Sequence, residues 1–443
     1  MLIQRATLLS GAVVDIRLGR FVTAVADTLA AQPGEDVLDA AHGTVIPGLH
    51  DHHVHLRSAA AALDSVPVGP PHVHNRDDVV RALSDAEPGG DGWIRAIGYH
   101  ESVAGPLDRA LLDAISPARP VRVQHRSGAL WIFNSAALGR IGMADHRDGR
   151  LFRTNPEWAR IPPRREQSLR RVSQRLIRFG VTGVTDATPG KNLHDVESLA
   201  SACRSGDLRQ RLHCMADPGV TEIPGVTIGP VKIVLDDDAL DLEHLATTAR
   251  HCHSRGRAVA VHCVTDSQLV ITIAALRAAG VHPLDRVEHA AMVPDDCLED
   301  LRELGVTVVT QPNFVAERGD GYIAEIPGEA RHQLWRVRSL LRHKVNVAMS
   351  TDMPFGNGDP WAAMRAAVHR TTVGGATLGA GEGVSPVTAL TMFLGHPDRP
   401  AESRSIEAGQ PGNLCVLSAP PAEVLAELDC RMVSATVVGG EIA

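Results

Sequence analysis

Residues 45–56 read Val45-Ile-Pro-Gly-Leu-His-Asp-His-His-Val-His-Leu56, an apolar start running into four histidines and an aspartate. Residues two apart on a strand point to the same side, so Asp51, His53 and His55 share one face and His50 and His52 the other. Two imidazoles then converge where the strand ends. A His-rich turn would produce the same string, so the rest of the chain must decide.

Outward from this stretch, short β-rich runs alternate with helical patterns, the rhythm of βα units around a parallel sheet. The sequence predicts strands near Thr44–Pro47, Val121–Gln124, Gly183–Asp186, Val231–Leu235, Val259–Cys263, Val287–His289, Thr307–Gln311 and Val345–Ser350. Between them, Leu169, Val172, Leu176 and Ile177 recur at helical spacing before Gly180, as do Leu240, Leu245 and Ala249 before Gly256. Eight such units and no Gly-rich nucleotide loop after the first strand predict an α/β protein built on a (β/α)8 TIM-like barrel over residues 47–404. Residues 1–46 and 405–443 carry short β-like runs separated by Gly, Pro and Asp. Neither piece has a core of its own, so they are expected to pair into one small β-sandwich domain. Residues 64–120 are expected to form a long excursion that shapes a substrate pocket.

Three further strands end on ligand-type residues. His262 closes Ala258-Val-Ala-Val-His, His289 closes Arg286-Val-Glu-His, and Asp352 follows Asn346-Val-Ala-Met-Ser-Thr. Lys232, His262 and His289 lie about one βα unit apart, and Asp352 two units further on. Barrel enzymes keep their chemistry at the carboxyl ends of the strands. Four imidazoles and a carboxylate gathered there would bind Zn²⁺ or a similar divalent ion.

Composition narrows the alternatives. A net charge of -8 without a basic block, and aromatics at only 3%, argue against a nucleic-acid or anionic-membrane partner. Arg5, Asp15, Arg17 and Arg20 interrupt the apolar N-terminus, which excludes a spanning segment or a signal core there. The seven cysteines are scattered without a C-x-x-C pair, as expected of reduced thiols in a soluble cytoplasmic protein. A homo-oligomer is compatible with all of this.

The P-G-x-x-D-x-H-x-H signature, single histidines on the fifth and sixth strands and an aspartate on the eighth resemble the amidohydrolase superfamily. Gly92-Trp-Ile-Arg-Ala-Ile-Gly, Asn134-Ser-Ala-Ala-Leu, Gly180-Val-Thr-Gly-Val-Thr-Asp and Ser350-Thr-Asp-Met-Pro resemble the branch of N-substituted formamide deformylase-like enzymes. The resemblance implies a metal-dependent hydrolase that uses metal-activated hydroxide on a non-peptide C–N bond (amide, formamide or cyclic amide) of a small molecule. It implies two divalent ions, zinc or similar. His53, His55 and Asp352 would hold the more buried ion and His262 and His289 the other, with Lys232 bridging them as a carbamate. Asp352 would accept the proton of the attacking water, and Asp51 would orient the histidine pair from behind. The alternative is a plain lysine neutralising acids such as Asp236 or Asp237. Two other functions remain open: a mononuclear zinc deaminase of a heterocyclic amine, and a non-catalytic barrel scaffold.

The branch shows Asp-Gly-His shortly before the Asn-Ser pair, where this chain has Ser127-Gly-Ala129 preceded by His125 and Arg126. His125 is thus a pocket candidate or an ordinary strand-end histidine. Gln311, Trp93 and Trp361 are candidates for the pocket lining, the tryptophans equally for core packing. His251-Cys-His253 reads as polar surface, and Cys263, on the other face of its strand from His262, as packing.

Overall fold

The computed structural model describes residues 1–152 and 167–443. They fall into two compact units, one made of Met1–Leu56 and Leu169–Ala443, the other of Arg57–Ser168.

The larger unit is α/β. Leu49–Val54 is the edge of a parallel sheet continued by Val181–Asp186, Arg211–Cys214 and Val226–Ile228. A second parallel sheet runs in chain order through Val231–Val234, Val259–Cys263, Arg286–His289, Thr307–Thr310 and Asn346–Met349. An isolated parallel bridge between Val54 and Met353 ties the first of these strands to the segment after the last.

The connecting helices start and stop where local chemistry dictates. Thr265 and Gln268 form a capping box at the head of Asp266–Ala279, and Gly280 ends it. Asn192 and Asp195 do the same for Leu193–Arg204. Asp295–Leu304 stops at Gly305, whose φ of 68° suits a residue without a Cβ. Each side-chain cap contributes about 1 kcal/mol. The main stabilisation comes from the faces turned to the sheets, such as Leu269, Ile273 and Leu276, all buried.

Two predicted strands belong elsewhere. Val45–Pro47 pairs antiparallel with Leu414–Leu417, and the parallel strand begins only at Leu49. Gly48 marks the break, where a Cβ would meet the Thr182 side chain at 2.2 Å. Val121–His125 is the central strand of the smaller unit, whose sheet runs Arg150–Phe152, Leu130–Phe133, Val121–His125, Ile94–Tyr99, Val66–Pro67. The excursion is therefore wider than 64–120 and has its own apolar core, with Leu83, Ile94, Tyr99, Leu112, Val123 and Ile132 fully or almost fully buried. Conversely, Arg211–Cys214 was not foreseen, because Arg-Leu-His-Cys contains no β-branched residue.

Both chain ends contribute to one apolar cluster in the larger unit. A four-stranded sheet built from Leu2–Thr7, Val13–Leu18, Val22–Ala26 and Val37–Asp39 supplies Ile3, Ile16 and Val22. A second sheet, Glu441–Ile442, Val433–Val438, Leu414–Leu417 and Val45–Pro47, supplies Val45, Leu414, Val416 and Val437. Among the described residues no helix is long and apolar enough to cross a membrane.

Candidate metal centre

His53, His55 and Asp352 present ligand atoms that all lie within 4.8 Å of one another. Backbone stitching brings them together: Asp352 N donates to His53 O at 3.0 Å, and His55 N to Met353 O at 2.8 Å. Asp51 reinforces the junction from behind, accepting from Thr351 N at 3.0 Å and from Thr351 Oγ1 at 2.5 Å. Its carboxylate is buried among these donors, and burial raises its pKa to about 7.

The histidines continue as a chain of rings. Centroids are 5.2 Å apart for His55 and His53, 4.8 Å for His53 and His289, and 4.5 Å for His289 and His262. Burial, followed by neighbouring cationic groups, pushes the pKa values of His53 and His289 well below the usual imidazole value. Both rings are neutral at pH 7, the form a metal requires.

The tautomers of His53 and His289 are set by what the other ring nitrogen touches. Glu288 contacts His53 Nδ1, Gln311 Oε1 lies 2.8 Å from His289 Nδ1, and Thr188 Oγ1 lies 3.1 Å from His55 Nδ1. A ring that gives its Nδ1 proton away keeps a lone pair on Nε2. His55 Nε2 sits 3.2 Å from Asp352 Oδ1, and His53 Nε2 3.7 Å from the same oxygen, so the three side chains face one point.

Three buried polar atoms here have no hydrogen-bond partner among the described residues: His53 Nε2, Asp352 Oδ1 and Lys232 Nζ. Each orphaned buried group costs about 1–3 kcal/mol, so three at one place mark a site shaped for a ligand. Their chemistry, an imidazole lone pair, a carboxylate oxygen and an amine, suits a divalent cation. Lys232 is held among His53, His289, Glu288 and Asp352, and burial lowers its pKa to about 8 despite the two carboxylates. His289 at φ 71° and Asp352 at φ 56° are left-handed non-glycine residues, a strained backbone that recurs where side chains must be aimed.

The sequence profile of the amidohydrolase family matches residues 36–443. The chain belongs to the amidohydrolase family. As a member it is a hydrolase acting on carbon–nitrogen bonds other than peptide bonds. N-substituted formamide deformylase of Arthrobacter pascens is 28% identical to this amidohydrolase, over 89% of this chain and 87% of the relative. A solved structure of an uncharacterized metal-dependent hydrolase from Pyrococcus horikoshii matches with a TM-score of 0.76 at 20% identity, over 95% of this chain and 97% of that one. Atrazine chlorohydrolase from Arthrobacter aurescens, complexed with zinc, matches with a TM-score of 0.59 at 14% identity, over 100% and 94%. At these identities the two structures speak for the fold alone.

The remaining sequence candidates of the amidohydrolase sit as follows. Gln311 is fully buried and serves His289 through the contact above. Trp361 is fully buried, with its indole N–H donated to Phe179 O at 2.9 Å. Trp93 packs in the smaller unit against the cluster of Trp131 and Phe133. His125, also in that unit, lies 2.9 Å from Glu101 Oε2 through Nε2, and its Nδ1 accepts from Ser127 N. With His100 they form a second group of ligand-type side chains. Because Ser127 N and Ser102 N donate to the two Nδ1 atoms, the protons these rings carry lie on Nε2, which suits hydrogen bonding better than metal ligation. Glu288 was missed altogether. Strand alternation assigns it to the opposite face from His289, yet the positive φ of His289 lets both reach the His53 ring.

Proposed function

We propose that this amidohydrolase hydrolyses an amide, formamide or cyclic amide bond of a small molecule with two divalent metal ions, zinc or similar. The observation that carries the reading is the convergence of His53, His55 and Asp352, each imidazole contacted at Nδ1 and facing Asp352 Oδ1 with Nε2. His53, His55 and Asp352 would hold one ion, His262 and His289 the other, and Lys232 as a carbamate would bridge them. Its buried, unpartnered Nζ supports this better than a plain ammonium, which at such depth would be expected to bond a carboxylate.

Bound there, the ions would supply Lewis acidity that lowers the pKa of a water and polarises a carbonyl. Asp352 accepts the proton of the attacking water and returns it to the departing nitrogen. His53 and His289 stay neutral, and Asp51 keeps the 351–353 segment in register with the His53 strand. The two parallel sheets and the Val54–Met353 bridge support closure into a (β/α)8 barrel, and the shared terminal cluster supports a small β-sandwich. The relative that deformylates N-substituted formamides makes N-formyl compounds the first substrates to try.

The test is a hydrolysis screen of N-formyl, N-acyl and cyclic-amide compounds with protein reconstituted in zinc and bicarbonate. Zinc-dependent release of amine, carboxylate or ring-opened product is expected. Ammonia release from heterocyclic amines alone would favour the deaminase reading instead.

A further inference from the structure

Arg286 and Glu288 are two apart on one strand and are 1% and 0% exposed. Arg286 Nε donates to Glu288 Oε1 at 2.7 Å, and its NH2 group donates to His52 O at 2.8 Å. The other carboxylate oxygen, Oε2, contacts His53 Nδ1. One ion pair thus grips both the ring of His53 and the peptide that leads into it. A carboxylate at Nδ1 fixes the tautomer with the lone pair on Nε2, the atom left without a partner.

We propose that Glu288, anchored by Arg286, is the positioning residue that aims His53 Nε2 at the metal. This rests on the reading of His53 as a metal ligand. It assigns Glu288 no contact with substrate; it acts through His53 alone. The observations favour this over service to Lys232, because Glu288 contacts His53 Nδ1 directly while Lys232 Nζ has no hydrogen-bond partner among the described residues. A buried carboxylate is retained here because two donors, one neutral and one cationic, occupy both of its oxygens.

The experiment is a zinc titration of chelator-stripped full-length protein against a chromophoric competitor, for wild type, Glu288→Gln, His53→Ala and the double variant. If Glu288 acts through His53, Glu288→Gln weakens zinc binding about 10–100-fold, the usual loss for a partner of a ligating histidine. In the His53→Ala background the same substitution then adds less than about 2-fold, since coupled residues are non-additive. Cobalt(II) substitution should show a changed visible spectrum for Glu288→Gln, which a merely structural residue would not alter. Should Glu288→Gln leave Arg286 unpaired and the protein unfolded, Arg286→Gln with Glu288→Gln removes both charges together and should show the same zinc deficit. Wild-type affinity in a folded Glu288 variant, or an equal further loss on top of His53→Ala, overturns the clamp alone. Wild-type affinity in His53→Ala overturns the metal centre and the clamp with it.

Discussion

His289 donates its Nδ1 proton to Gln311 Oε1, 2.8 Å away. The direction is fixed because the amide nitrogen of Gln311 is spent on Val309 O and on Ser350 Oγ, at 3.2 and 2.8 Å. One fully buried glutamine therefore holds the tautomer of a candidate ligand and links two strands. Gln311→Leu keeps the volume but removes the acceptor for His289 and the donor for Ser350. A stability loss of about 1–3 kcal/mol is expected from the orphaned groups, with zinc affinity down about tenfold or more. Gln311→Glu, which keeps an acceptor oxygen, should bind zinc better than Gln311→Leu. Denaturant melts and zinc titration measure both effects, and equal zinc affinity in the two variants would remove Gln311 from the site.

Much of the candidate centre is legible in the sequence because its candidate ligands end runs that read as strands. His262, His289 and Asp352 follow Ala-Val, Arg-Val-Glu and Val-Ala-Met runs that read as strands whatever their partners. What stayed hidden depends on backbone that breaks alternation. Glu288 and His289 are neighbours on the chain, yet both reach the His53 ring, because His289 adopts φ 71°. Strand assignment failed where a run is ambiguous in partner rather than type. Val45–Pro47 and Val121–His125 are indeed strands, but their pairing partners lie in the terminal sheet and in the separate unit. Periodicity carries no information on pairing.

Lys232 offers a prediction about composition of matter. Its amine is buried, without a hydrogen-bond partner among the described residues and lowered to about 8, so roughly a tenth is neutral at pH 7, far more than for an ordinary lysine. In the proposed function that nitrogen would add to the carbon of CO₂ with loss of one proton to solvent, and cations would hold the anion that remains. With ¹³C-bicarbonate and zinc, one labelled carbon per chain should appear by NMR and vanish in Lys232→Gln. Full zinc occupancy without label would leave Lys232 as a plain amine and end the bridging role.

His213 makes the stability depend on pH. Thr227 Oγ1 donates to Leu212 O at 3.3 Å, so it accepts from His213 Nδ1 at 2.8 Å, and burial pushes the imidazole down to about 3. The unfolded chain binds a proton near pH 6.5 that the folded chain refuses until about pH 3. Stability from this group is therefore complete above pH 6.5 and falls as the pH drops through that window, by up to about 1.4 kcal/mol per pH unit. His213→Gln should flatten the acid limb of urea midpoints against pH by one proton. An unchanged slope would mean that His213 already titrates normally.

Asp352 joins metal holding to proton transfer, and the two can be separated. Its Oδ1 lies 3.2 Å from His55 Nε2 and is one of the orphaned buried atoms, and its backbone N–H is committed to His53 O. Asn has nearly the same size and preserves the backbone bond, so Asp352→Asn should fold with a melting point close to wild type. It keeps one acceptor oxygen and loses the basic carboxylate. A positioned general base contributes about 10²–10⁴-fold, so kcat should fall by at least that factor when zinc is saturating. If proton transfer is the main loss, KM stays within a few-fold while kcat collapses; if ligation is the main loss, zinc stoichiometry drops first and excess zinc recovers part of the rate. Wild-type kcat with zinc bound would exclude both roles, and the proton acceptor would then have to be sought among other groups at the same strand ends.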